Sequence, residues 1–250
     1  MILDEIVKRT EKRVAGLPST FPDDRQGTPA SLIRAIRGRD KNAVIAEIKC
    51  ASPSTGMIRR NVDFPVMARL FEEKGCTALS ILTEPYFFGG RTLDIPRVKA
   101  TVRVPVLRKD FIIDERQIGE TRALGADAVL LIAAVLKDRL PAFVDLTKEY
   151  GLEPLVEVHD AAEAERAIAT GAELIGINNR DLNTMTINRS TTRLLAGPIR
   201  TAGKIVVSES GIRSADDIRE LKAYCDAFLI GSSIMAHHRP EKKLEELVCE

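Results

Sequence analysis

Five residues in this chain could move protons together: Glu47 and Lys49, Lys109, Glu157, and Glu209. Each stands at or just beyond the end of a short apolar run, and charge at the end of a buried strand marks a site rather than a core. Glu47 and Lys49 are two residues apart and so share one face of an extended segment. An ammonium can protonate a carbonyl or a leaving hydroxyl, and a carboxylate can take a proton from carbon, so two lysines with three carboxylates suit acid-base chemistry. No Cys or His cluster has metal-ligand spacing, so the chemistry expected is proton transfer without a metal.

Small residues collect in two later stretches, Ser208-Glu209-Ser210-Gly211-Ile212-Arg213 and Ile230-Gly231-Ser232-Ser233. Glycine lets an anion approach backbone N–H groups, so these loops predict a phosphate site built around Gly211, Gly231 and Ser232. Arg180, in Asn178-Asn179-Arg180-Asp181, is a second anion hook unless it pairs with a neighbouring carboxylate. His159 has no Ser or Cys nucleophile marked nearby and reads as structural, while His237 and His238 read as surface residues.

The elements that must carry these groups arrive at a regular beat. Short apolar strands are expected over 44–47, 78–82, 104–107, 128–132, 155–158, 174–177, 205–207 and 227–230, with helix-length stretches between them. The stretch Val104 to Asp114 shows the grammar: an apolar strand ending in Arg108-Lys109-Asp110, a loop Phe111-Ile112-Ile113, then a helix over 115–124 begun by Asp114. Asp160 with Glu163 and Ser214 with Asp217 read as helix starts. Gly75-Cys76-Thr77-Ala78, Gly125-Ala126-Asp127-Ala128 and Gly171-Ala172-Glu173-Leu174, with a weaker copy at Tyr224, precede the even strands only, so the period is two strand-helix units.

These features predict an α/β fold, a (βα)8 TIM barrel in one domain over 1–250, with an open doubly wound sheet as the alternative. The functional charges fall on the odd strands, and alternate strands of a barrel fill the same interior layer, so they should converge at its C-terminal mouth. Residues 1–43 precede the first strand and read as a helical extension: one helix over 2–14, a turn-rich stretch over 17–24, and a short helix before Gly38.

Composition narrows the partners. Lys and Arg number 37 against 36 Asp and Glu, a net charge of +1, so no global field draws nucleic acid. No apolar run approaches ~18 residues and no signal peptide opens the chain, so a cytoplasmic location is expected with no membrane partner. Four scattered cysteines read as reduced thiols. The expected partner is a phosphorylated small molecule, and the oligomeric state is not legible.

In ordered blocks across nearly its whole length the chain resembles the indole-3-glycerol-phosphate synthase family: AVIAEIKCASPSTG, LTEPYFFGG, PVLRKDFIID, PLVEVH, IGINNRDL, VSESGI and LIGSSIM. The resemblance implies a (βα)8 barrel whose N-terminal extension packs over the catalytic mouth. It also implies, without a cofactor, conversion of 1-(2-carboxyphenylamino)-1-deoxyribulose 5-phosphate to indole-3-glycerol phosphate with loss of carbon dioxide and water, in tryptophan biosynthesis. By resemblance Lys109 is the general acid and Glu157 the general base. Lys49, with Glu47 beside it, is a second lysine that contacts substrate. Asn178, Glu209 and Ser210 match polar catalytic positions, Ser54, Arg180 and Phe111 substrate contacts, and Gly211, Gly231 and Ser232 the phosphate cradle. The chain departs from the family at Cys50 and Thr55, where many members have Arg and Lys, and at Met185, where many have an aromatic. Rival readings are another phosphate-binding barrel isomerase, a Schiff-base aldolase using Lys109, and a non-catalytic metabolite-binding barrel.

Overall fold

The computed structural model describes residues 2–22, 27–182 and 184–249. Among them, eight parallel strands close into a barrel in sequence order: β1 (Val44–Ile48), β2 (Ala78–Leu82), β3 (Val106–Lys109), β4 (Ala128–Ile132), β5 (Glu153–Val158), β6 (Leu174–Asn178), β7 (Ile205–Glu209) and β8 (Ala227–Ile230). Helices cover the outside, and a short antiparallel hairpin, Ala51–Ser52 with Gly56–Met57, follows β1. The side-chain alternation of a strand explains the two cores. Val44, Ala46 and Ile48 of β1 and Val156 and Val158 of β5 pack outward against helices, while Ile45, Leu107, Leu155 and Val207 fill the barrel.

Register then decides which interior residues share a level. Glu47 pairs with Ser80 and Ser80 with Leu107, two residues before Lys109. Glu157 pairs with Gly176 and Gly176 with Val207, two residues before Glu209. A stagger of two residues per pair of strands, taken with the strand tilt of a closed barrel, puts Glu47, Lys109, Glu157 and Glu209 in one layer.

The third strand differs from the expectation. It runs to Lys109 rather than stopping before Arg108, because the two cations take opposite faces. Arg108 is fully buried outside the barrel, where it donates to Asp110, Glu120, Thr121 Oγ1 and the Gln117 carbonyl. The following helix spans Arg116–Ala123, and Asp114 accepts from the Arg116 N–H instead of starting the helix itself. The expected glycine repeat is also broader than the even strands: Gly75 and Gly125 take φ of +83° and +86°, but Gly151 and Gly203, before β5 and β7, are left-handed too, and Gly171 is not.

The N-terminal extension divides between the two ends of the barrel. Its first helix, α1 (Ile2–Val14), contributes Ile2, Leu3 and Ile6 to the mouth, and Arg13 donates twice to Asp110, at 2.7 and 3.0 Å. Its second, α2 (Leu32–Arg37), plugs the opposite end and corrects the expectation that all of 1–43 lies over the mouth. There Leu32 and Ile36 pack on Ala78, Ala128, Leu174 and Ala227, and the Ser31 hydroxyl and Ile33 N–H donate to Glu153 at the start of β5. Asp23 and Asp24 of the turn-rich stretch lie outside the described residues.

Candidate active site

Every site residue singled out from the sequence lines one cavity of about 410 Å³ at the C-terminal mouth. Lys109 Nζ lies 2.7 Å from Glu209 Oε2 and 3.1 Å from Glu157 Oε2, and Lys49 Nζ lies 2.5 Å from Glu47 Oε1. The three carboxylates are buried. Burial alone would neutralise Lys109, but Glu209, Glu157 and Glu47 outweigh it and hold the ammonium well above the ordinary lysine range. For Glu157 the positive neighbours Lys109 and His159 overcome burial and carry the group well below the usual carboxylate range. Burial lifts Glu209, Lys109 pulls it back, Glu157 lifts it again, and the carboxyl is pushed up to about 7. One layer thus holds a firm cation, a firm anion and a group that titrates near neutrality, the separation that acid-base chemistry requires.

Two glycines inside the barrel make room for these acids. A Cβ on Gly176 would stand 2.2 Å from Glu209 Oε1, and one on Gly231 would stand 2.3 Å from Glu47 Oε1. The sequence reading assigned Gly231 to a phosphate cradle, but its missing side chain faces Glu47, and only its backbone remains for an anion. Gly231→Val is therefore expected to lower kcat by displacing Glu47 from Lys49, as well as raising KM. Steady-state kinetics check it: a KM effect with kcat intact would leave Gly231 to the anion alone.

The cavity has a polar end and an apolar end. At the polar end Ser210 and Gly211 are consecutive left-handed residues, φ +64° and +84°, and a Cβ on Gly211 would stand 2.6 Å from Ile187 Cγ2. That turn is held by Asn179, whose buried amide donates to the carbonyls of Glu209 and Ser210 and accepts from the Thr192 N–H and hydroxyl. Burial and the nearby Arg213 both push the Arg180 guanidinium below its usual value, so two cations press on the same space, which suits a doubly charged anion. At the apolar end Phe88 and Phe111, with ring centroids 6.2 Å apart, stand with Leu130, Ile132 and Leu3. Phe88 is fixed because the buried Glu84 accepts from the N–H groups of Tyr86, Phe87 and Phe88. The left-handed turn with two cations on one side, the apolar wall with two phenyl rings on the other and the layer of Lys109 and carboxylates between them let the cavity receive an anion at one end and an apolar group at the other.

The family model for indole-3-glycerol phosphate synthase matches residues 3–247. The chain belongs to the indole-3-glycerol phosphate synthase family. It is 44% identical to the indole-3-glycerol phosphate synthase of Caldanaerobacter subterraneus subsp. tengcongensis, over 99% of this chain and 98% of that one. With the indole-3-glycerol phosphate synthase of Koribacter versatilis it shares 47% identity over 96% and 90% of the two chains. Among solved structures, tryptophan synthase from M. tuberculosis superposes with a TM-score of 0.63 at 15% identity, covering 88% of this chain and 97% of that one. Thiamine phosphate pyrophosphorylase from Pyrococcus furiosus gives 0.61 at 18%, covering 82% and 93%. At such identities these two speak for the barrel alone.

Of the three positions at which this indole-3-glycerol phosphate synthase family member reads as departing from its relatives, two border the cavity and Cys50 does not. Thr55 and Met185 line it, and the Met185 carbonyl accepts from Arg180 Nη1 at 3.0 Å. Sequence reasoning missed Asn179, although it adjoins Asn178 in the same motif, and found only Phe111 of the apolar wall, whose Leu130 and Ile132 read as ordinary strand residues. It read His159 as structural, and the ring lies outside the cavity lining. The ring stands 3.3 Å from Glu157 Oε1, and a signal was present, since residues two apart share a strand face.

Proposed function

We propose that the layer of Glu47, Lys109, Glu157 and Glu209, with Lys49 above it, carries out the ring closure of 1-(2-carboxyphenylamino)-1-deoxyribulose 5-phosphate to indole-3-glycerol phosphate. In this reading the substrate phosphate sits at the Ser210–Gly211 turn with Arg180, and the aromatic ring lies against Phe88, Phe111 and Leu130. The ring carbon bearing the carboxylate attacks the ketone carbon, and Lys109 donates its proton to the carbonyl oxygen as negative charge develops there. Glu209, 2.7 Å away and titrating near neutrality, returns a proton to Lys109. Loss of carbon dioxide restores aromaticity. The new hydroxyl then leaves as water with a proton from Lys49, while Glu157 removes a proton from the carbon next to nitrogen, and the indole double bond forms.

The observation that carries this reading is Lys109 Nζ held between two carboxylates, at 2.7 and 3.1 Å. A Schiff-base lysine must be neutral to attack, and this environment keeps it charged. Borohydride added during turnover should trap no substrate on Lys109 while indole product accumulates; a covalent adduct at Lys109 would favour the aldolase instead. We also propose a cytoplasmic location, which suits the four free cysteines, and no nucleic-acid partner, which suits the near-zero net charge. Among the described residues no helix is long and apolar enough to cross a membrane.

A further inference from the structure

His159 follows the last residue of β5 and does not line the cavity, so it has no direct hold on a substrate there. Its ring is nonetheless fixed between two carboxylates. Nε2 lies 3.3 Å from Glu157 Oε1, an ion-pair contact rather than an aligned hydrogen bond, and Nδ1 lies 3.1 Å from Glu163 Oε2. Glu163, on the helix Ala161–Ala169, is itself held by the His159 backbone N–H at 2.8 Å. A neutral imidazole can donate through one nitrogen only, so acidic partners at both nitrogens select the imidazolium. The charged groups facing it are Glu157 from β5 and Glu163 from that helix, with Lys109 of β3 beyond Glu157.

We infer that His159 is a positioning residue for the reaction: as a cation clamped by Glu163, it holds one oxygen of Glu157 and keeps that carboxylate ionised and aimed while Lys109 gives up its proton. The inference rests on the proposed role of Glu157 as base. The need for it follows from the layer's charge balance. In the resting site Lys109 is the cation shared by Glu157 and Glu209. Once Lys109 has passed its proton to the substrate it is neutral, and Glu157 would then be a buried carboxylate with no compensating charge. His159 lies on the oxygen that Lys109 does not use, Oε1 against Oε2, and so remains in place through the step. Burial opposes its charge, but Glu157 and Glu163 prevail and raise it to about 10, so it stays protonated through the working range.

The test uses the full-length chain with His159→Gln and Glu163→Gln. With Lys109 neutral after its proton has passed, Glu157 loses the partner that holds it low, and removing His159 as well raises it further, so activity should fail at a higher pH on the acid side. For His159→Gln we expect kcat to fall about tenfold, KM to stay within about twofold, and the acid limb of the kcat profile to move up by about one pH unit. Glu163→Gln should move the same limb in the same direction by less, and it answers the question if His159→Gln does not fold. The resting protein gives a second readout, since it has only three histidines and the one lost in His159→Gln can be assigned by nitrogen-15 NMR. Both ring nitrogens of that residue should be protonated at pH 7. A neutral ring, or a variant whose acid limb superimposes on that of an active parent, would overturn the inference alone. A parent without turnover would remove the proposed role of Glu157 and this inference with it.

Discussion

Lys109→Ala should lower kcat about 100-fold or more with a much smaller change in KM. In the proposed reaction the side chain supplies the proton and the positive charge that the carbonyl oxygen needs as the ring carbon attacks, and alanine supplies neither. In that reaction Lys49, paired with Glu47 at 2.5 Å, serves the later loss of the hydroxyl, so the carbonyl oxygen has no second acid when Lys109 is gone. In the same proposal substrate binding draws on the Ser210–Gly211 turn and Arg180, neither of which pairs with Lys109. The kinetics belong with a circular dichroism spectrum, since the change leaves Glu157 and Glu209 facing each other without their shared cation. A folded Lys109→Ala protein with near-parent kcat would take Lys109 out of the mechanism.

Its neighbour should behave in the opposite way. Arg108→Ala is expected to cost about 3–5 kcal/mol of stability, because it strands the buried Asp110 and part-buried Glu120 that the guanidinium now satisfies. Arg108 does not line the cavity and reaches it only through Asp110, which Arg13 and Thr83 also hold, so the fraction that folds should retain most of its kcat. Urea denaturation measures the loss, and a loss below about 1 kcal/mol would mean that Arg13 and Thr83 alone satisfy Asp110. Two adjacent cations, one holding the barrel to its helices and one facing the cavity, are separated only by the alternation of a strand.

That pair shows what could be read from the chain. The eight-strand beat and the convergence of odd-strand charges were legible because strand length and side-chain alternation are local properties. Arg108-Lys109-Asp110 looked like a strand running out into charge, because sequence does not show that Glu120 and Thr121, on the following helix, bury the guanidinium. The helix Leu32–Arg37 was legible as a helix, but which end of the barrel it covers depends on Glu153, more than a hundred residues away. Gly231 was read only as a phosphate-cradle glycine because its neighbour Glu47 comes from another strand. The contacts of His159 could have been anticipated, since Glu157 two residues before it and Glu163 four after it are both in the sequence.

The most direct measurement follows the product itself. The chain has no tryptophan and three tyrosines, so the protein adds almost no indole-like emission of its own. Mixed with 1-(2-carboxyphenylamino)-1-deoxyribulose 5-phosphate, it should generate an indole emission that grows with time, scales with enzyme and matches the carbon dioxide released one for one, and Lys109→Ala should abolish nearly all of it. A single saturating change in the substrate's own emission, with no carbon dioxide, would mean that this barrel binds the molecule and does not close the ring.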